Sequence, residues 1–222
     1  MFMKRIFAVA ALALATLASQ PALAQSTEID KVSLPNTTSV GGQSATLNGM
    51  GMRSRFGFRV YVIGLYLPKK TNNAREAITM PGAKRVHLTL RREINNTELG
   101  NAFLKGIRDN VPPAEIQRLG VQLVQFGQFF GSIPALKAGD TIVLDLLPGK
   151  GMNLIINGKQ VGDVAGDEFN SALLRIWLGD KPVQADLKDL LLGVRPGQSA
   201  PAAAPAAAPS AAPAPQQSSE RS

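Results

Sequence analysis

Residues Gly49 to Leu67 read GMGMRSRFGFRVYVIGLYL. The run is rich in β-branched and aromatic residues, which favour a half-buried pleated strand over a helix. A short turn at Phe56-Gly57-Phe58, with Gly57 supplying the unusual backbone angle, folds the run into a hairpin that sets Arg53 opposite Tyr61. Side chains directly opposed on an antiparallel pair lie about 4.5–5.5 Å apart at Cβ, so a guanidinium fork and a phenol there can grip one acidic group together. The same register sets Arg55 against Arg59, an unfavourable pair unless both reach water. A plainer reading makes Arg53 an exposed arginine on an edge strand and Tyr61 an ordinary core tyrosine.

Outward from the hairpin, β-type runs are expected at Lys31–Leu34, Ala45–Arg55, Arg59–Pro68 and Lys84–Arg91, with a short helix over Asn72–Thr79 ended by Pro81-Gly82. Asn96 is placed to cap a helix through Asn110, with Leu99, Phe103 and Ile107 on one face. A second helix over Pro113–Phe130 aligns Ile116, Leu119, Leu123, Phe126 and Phe130 as a core stripe. Strands return at Asp140–Leu147, and Asn153–Ile156 and Lys159–Val164 flank the hairpin signal Asn157-Gly158. A helix over Asp167–Leu178 buries Phe169, Leu173 and Ile176 and stops at Gly179, and a last helical piece covers Ala185–Leu192. Strands in blocks and helices in blocks predict an α+β fold, an antiparallel sheet covered on one side by helices.

The ends differ from this middle. Residues 1–24 have the form of an export signal: Lys4 and Arg5, an apolar run from Ile6 to Ala18, and the small-x-small site Ala22-Leu23-Ala24. Cleavage after Ala24 would place the protein in a periplasm. Residues 197–222 collapse to Ala, Pro, Ser and Gln, a composition that cannot bury enough apolar surface to fold and predicts a disordered tail. Residues 25–196 remain as one domain.

The chain has 24 Lys and Arg, two of them in the leader, so 22 remain against 16 acidic residues, a net charge of +6. That balance suits an anionic membrane surface or a small anionic ligand. The charges are scattered and no nucleic-acid motif accompanies them, so nucleic acid is a poor partner. With no cysteine, zinc thiolates, iron–sulfur clusters and cysteine nucleophiles are excluded. His87 is the single histidine and alternates outward from an apolar strand, so it reads as a surface residue, and no Gly-x-Ser-x-Gly elbow accompanies it. Gly149-Lys150-Gly151 reads as a turn between strands, and Asp163 and Asp167 as a turn and a helix cap. No metal or cofactor is expected.

Gly49-x-Gly51-x-Arg53 followed by Ile63-Gly64-Leu65-Tyr66-Leu67, together with Val86–Phe103, the Asn157-Gly158 hairpin and the helix ending Ile176-Trp177-Leu178-Gly179, resembles the chalcone isomerase-like superfamily. The resemblance implies an open-faced β-sandwich, a large antiparallel sheet with helices layered on one face and a ligand cleft between them. Its members include plant enzymes that cyclise chalcones, plastid proteins that bind fatty acids, and relatives of less certain role. In the enzymes an arginine matching Arg53 stabilises the substrate's developing negative charge. Where they carry a threonine, this chain has Tyr61, as do the fatty-acid binders that pair arginine with tyrosine to hold a carboxylate. The enzymes' active-site tyrosine falls near Ile94, which lacks a hydroxyl. Their asparagine corresponds to Asn101, and their polar residue on the late helix to Asn170 or Ser171. The expected function is therefore binding of a small amphipathic carboxylate, a fatty acid or related lipid, through Arg53 and Tyr61, with Asn101, Asn170 and Ser171 as further ligand contacts. The alternative is an intramolecular lyase (isomerase) acting on a chalcone-like or other enone, with Arg53 catalytic. A third class, an envelope protein working through its tail, stays open.

Overall fold

The β-rich runs pair in chain order into one seven-stranded meander, every neighbouring pair antiparallel. The computed structural model describes residues 25–194; the expected leader (1–24) and tail (197–222) lie outside the described residues. A separate two-stranded ribbon of β1 (Ser26–Ile29) and β2 (Val32–Pro35) precedes the sheet. The sheet itself runs β3 (Thr37–Val40), β4 (Gln43–Arg55), β5 (Phe58–Leu67), β6 (Lys84–Leu90), β7 (Thr141–Leu147), β8 (Gly151–Ile156) and β9 (Lys159–Val164). The helices are α1 (Ala74–Thr79), α2 (Asn96–Asn110), α3 (Pro113–Arg118), α4 (Gly120–Ser132), α5 (Asp167–Leu178) and α6 (Ala185–Leu191). This is the α+β open-faced sandwich, with helices on one side of a large antiparallel sheet.

The main core lies between that face and the helices. Ile63, Leu65, Leu88, Leu144 and Leu154 from the strands meet Phe103, Phe126, Phe169 and Trp177 from α2, α4 and α5. The aromatic rings there pack edge-on or stacked, with centroids 5.2–5.9 Å apart, a geometry that adds attraction beyond burial alone. The opposite face carries a smaller core of Val40, Leu47, Val62 and Tyr66 covered by Val32 and Leu34 of the ribbon. β1 and β3 escape a sequence reading because each is four residues long and mostly exposed, with little alternation to announce it.

Four expectations need correction. Asn96 is the first residue of α2, and the cap is Asn95, whose side chain accepts the Thr97 N–H at 2.9 Å. The single helix over Pro113–Phe130 is two, broken at Leu119 and resumed at Gly120, and Ile116 is only half-buried. Asp167 is not a cap: α5 is preceded by Gly166, and the Asp167 carboxylate accepts the Gly149 N–H at 2.9 Å. Asp163 lies within β9 rather than in a turn.

β4 positions the site through its glycines. A Cβ on Gly49 would overlap the Leu190 and Leu191 carbonyls, and one on Gly51 would overlap the Leu187 side chain. The two bare positions let α6 lie directly on β4, so Leu190 and Leu191 sit over Gly49, Leu187 over Gly51, and Gln184, the residue before α6, over Arg53. The side chain of Asn48 fixes the far end, donating to the Leu191 carbonyl at 2.7 Å.

Candidate functional site

Phe56 and Gly57 both have positive φ, +51° and +79°, and make the two-residue turn of the β4–β5 hairpin, whose twist suits paired strands. Arg53 lies opposite Tyr61, as the sequence predicts. The two-residue turn sets Arg55 against Phe58 and Ser54 against Arg59, and a bulge at Val60 then brings Arg53 to Tyr61. The expected Arg55–Arg59 clash is avoided because the turn has two residues rather than the three expected, and the extra residue on β5 then restores the Arg53–Tyr61 register.

Tyr61 lies on the helix-covered face and is 8% exposed. The Trp177 indole N–H donates to its hydroxyl oxygen at 3.0 Å. Burial pushes the Tyr61 pKa up, opposed by the Trp177 hydrogen bond and by the Arg53 charge, so the phenol is neutral and holds its proton at ordinary pH. With the oxygen accepting from Trp177, that O–H is left to donate into the cleft.

Arg53 is held but not neutralised. Its Nη1 donates to the Ser54 carbonyl and, at 3.0 Å, to Gln184 Oε1, which also accepts the Ser54 N–H at 2.9 Å. Gln184 is itself oriented by donating to Asp186 at 3.1 Å. Among the described residues no carboxylate lies within ion-pair distance of Arg53, and its guanidinium also approaches the Tyr61 hydroxyl.

These two donors stand at the polar end of an apolar cleft of about 100 Å³. Ile94, Leu99, Phe103, Ile176 and Trp177 form its walls, and Arg55 and Arg92 also line it. Glu98, the carboxylate among the lining residues, pairs with Arg92 at 3.5 Å, which leaves Arg53 and Tyr61 as donors without a carboxylate of their own, and an ionised carboxylate complements such a pair.

The other sequence-predicted site residues do not join them. Asn101 is exposed on α2 and lies outside the cleft, whose walls take Glu98, Leu99, Ala102 and Phe103 from that helix. Asn170 and Ser171 line a separate cleft of about 350 Å³ beside α1, with Lys84 and Asp167. There the Lys84 ammonium donates to the Met80 carbonyl at 2.6 Å and its pKa is lowered by burial, the Ser171 hydroxyl donates to the Asp167 carbonyl at 3.2 Å, and the buried Asn170 Oδ1 has no partner among the described residues. Distance along the helix explains the separation. Ile176 and Trp177 of α5 reach the Arg53 cleft, while residues five to seven positions earlier project at its other end. His87, read as a surface residue, is half-buried on the outer face. Burial and then the adjacent Arg85 charge lower its pKa, with Asp145 opposing.

Trp177 and Gln184 are the site residues that sequence reasoning missed. Trp177 had a signal: it is the single tryptophan, and a buried indole N–H needs an acceptor. Gln184 had none, because nothing local marks a glutamine before a short helix. Among the described residues no cluster of three or more His, Asp or Glu is placed to hold a metal ion.

A family model described as chalcone isomerase-like matches residues 26–193. The chain belongs to that family. Among solved structures, a fatty-acid binding protein of Arabidopsis thaliana superposes with a TM-score of 0.60 at 19% identity, covering 76% of this chain and 97% of that one. At that identity the likeness is one of fold. Comparison by sequence with curated proteins found no match. Within this chalcone isomerase-like chain, the GxGxR run of β4 has a structural account: the glycines admit α6, and α6 brings Gln184 to the arginine.

Proposed function

We propose that this chalcone isomerase-like domain binds a small amphipathic carboxylate of the fatty-acid class, with the head group on Arg53 and Tyr61. The observation that carries the proposal is the unneutralised Arg53 fork beside a Tyr61 O–H whose oxygen is already occupied by Trp177. A carboxylate supplies the missing acceptors, and its hydrocarbon meets Ile94, Leu99 and Phe103. The cleft, at about 100 Å³, is smaller than the roughly 300–1,000 Å³ of ligand pockets. It seats the head group, and a longer chain enters as those apolar side chains give way. The fold shared with a fatty-acid binding protein supports the same reading. We place this binding outside the cytoplasm, after removal of residues 1–24; a mature N-terminus at Gln25 by mass spectrometry would support that, and an intact Met1 would overturn it.

Calorimetry with a fatty acid and its methyl ester tests the head group. Arg53→Ala should weaken binding of the acid by about one to two powers of ten. Equal affinity for acid and ester would remove Arg53 from this role. The free charge of Arg53 would also suit an enolate or phenolate, the lyase reading. Ile94 on the cleft wall brings no hydroxyl, however, and Tyr61 does not ionise to act as a base. Arg53-dependent flavanone formation at about 1–10³ s⁻¹ would establish the lyase instead.

A further inference from the structure

The tip of the β4–β5 hairpin exposes two phenylalanines. Phe56 is 86% and Phe58 70% exposed, in the run Arg53-Ser54-Arg55-Phe56-Gly57-Phe58-Arg59, which carries three arginines and no acidic residue. Phe56 also occupies a left-handed turn position, φ +51°, which Asn, Asp or Gly fills at little cost and a bulky residue does not. The fold gains nothing visible in return, for its ring meets water and the Arg55 guanidinium, 5.1 Å from the ring centre. Stability alone would favour asparagine here.

The surroundings are basic. Arg53, Arg55, Arg59, Arg91 and Arg92 stand near the tip or the cleft mouth, against Asp30, Glu93 and Glu98. Asp30 is shared by Arg59 and Arg91, at 2.6 Å each, and Glu98 meets Arg92 at 3.5 Å. Arg55 has no carboxylate partner among the described residues. Arg53, Arg55 and Val60 belong both to this hairpin end and to the cleft lining, so the cleft opens beside the two rings.

We propose that the Phe56/Phe58 tip docks the protein on an anionic lipid surface, the rings entering the interface and Arg55 and Arg59 meeting the lipid phosphates, with the mouth of the Arg53 cleft turned toward the membrane. Apolar rings flanked by arginine are the chemistry that partitions into a headgroup region: each ring contributes through buried apolar area and each cation through attraction to the negative leaflet. The docking stands beside the carboxylate reading rather than on it, because the tip contacts lipid whether or not the cleft is filled.

Flotation of the purified protein, its N-terminus verified, with vesicles of equal parts phosphatidylglycerol and phosphatidylcholine tests this. The protein should float with these vesicles and far less with pure phosphatidylcholine or at high salt. The double variant Phe56→Asn and Phe58→Ser should lose about a hundredfold in partitioning, about tenfold for each ring. Phe56→Asn relieves backbone strain, so the loss will not come from unfolding. Arg55→Gln should lose about fivefold, on the anionic vesicles alone. In F58W the new indole should be quenched by brominated acyl chains, against the buried Trp177 as background. Calorimetric affinity for a soluble carboxylate should be unchanged in the double variant, which separates failure of this proposal from failure of the cleft reading. Wild-type protein that ignores anionic vesicles, a double variant that floats as well as wild type, or a tip-dependent dimer without lipid affinity would overturn the docking.

Discussion

The chain's two tyrosines each face an arginine across neighbouring strands, Tyr61 opposite Arg53 and Tyr66 opposite Arg85, on opposite faces of one sheet. The outer pair is closed. Arg85 makes a bidentate ion pair with Asp145, at 2.6 and 2.8 Å, and a third bond to Thr38, while the Tyr66 hydroxyl donates to the Pro35 carbonyl at 2.9 Å. The helix-side pair is open: Arg53 has an amide oxygen where Arg85 has a carboxylate, and the Tyr61 proton has no internal acceptor. The same two residue types therefore hold a sheet together on one side and leave an arginine without a carboxylate on the other. What separates them is the third residue that tertiary structure supplies, Asp145 or Gln184.

Breaking the closed pair should have the largest effect. Asp145→Ala leaves the Arg85 charge uncompensated on a mostly buried surface and should cost about 3–5 kcal/mol in denaturant unfolding, whereas Arg53→Ala should leave the midpoint within about 0.5 kcal/mol of wild type because no ion pair is lost. Equal losses would mean that Arg53 is as structural as Arg85.

Next comes the hydroxyl of the open pair. Tyr61→Phe strands the Trp177 indole N–H in the core and should cost about 1–3 kcal/mol of stability. The double variant Tyr61→Phe/Trp177→Phe should recover part of that loss, since the orphaned donor is gone. A neutral single variant would show that the Trp177 bond is not what fixes Tyr61.

Gln184→Glu would convert the open pair into a copy of the closed one. The new carboxylate should occupy the Arg53 fork and weaken binding of a fatty acid by about tenfold, while crowding with Asp186 holds any gain in stability small. Unchanged affinity would mean that the ligand does not use this fork.

The smallest effect at neutral pH comes from the phenols. Tyr66 is pushed up to about 12 from an ordinary 10.0, by burial first and against the pull of Arg85, and Tyr61 is raised as well. A raised tyrosine pKa means that the fold favours the neutral form. This stabilisation is complete below pH 10.0 and is lost as pH climbs from there toward about 12. An ultraviolet titration should show neither tyrosine ionising near its ordinary value while the protein stays folded, and Tyr66→Phe should flatten the alkaline arm of the stability curve. Tyrosinate appearing near pH 10 in folded protein would contradict both burials.

Much of this molecule was legible in its sequence because the deciding interactions are local. Alternation marked β6, apolar spacing at three and four residues marked α2 and α5, and a glycine turn marked the β4–β5 hairpin, where Arg53 meets Tyr61 because a bulge offsets a turn one residue shorter than expected. The bulge after Arg53 was not legible, nor were the polar four-residue strands β1 and β3, whose pairing is carried by backbone groups that every residue has. The site beyond the hairpin was decided by tertiary structure alone. Trp177 reaches Tyr61 across 116 residues and Gln184 reaches Arg53 across 131, while Asn101, Asn170 and Ser171, each polar and each on a helix near the sheet, turn elsewhere. The physical reason is how each helix is set on the sheet, in rotation for Asn101 and along the axis for Asn170 and Ser171. A helix displays a new residue every 100° or so around its axis, and which of them meets the cleft depends on how that helix settles on the sheet, a choice made by the whole core and, at β4, by two glycines that let α6 come close.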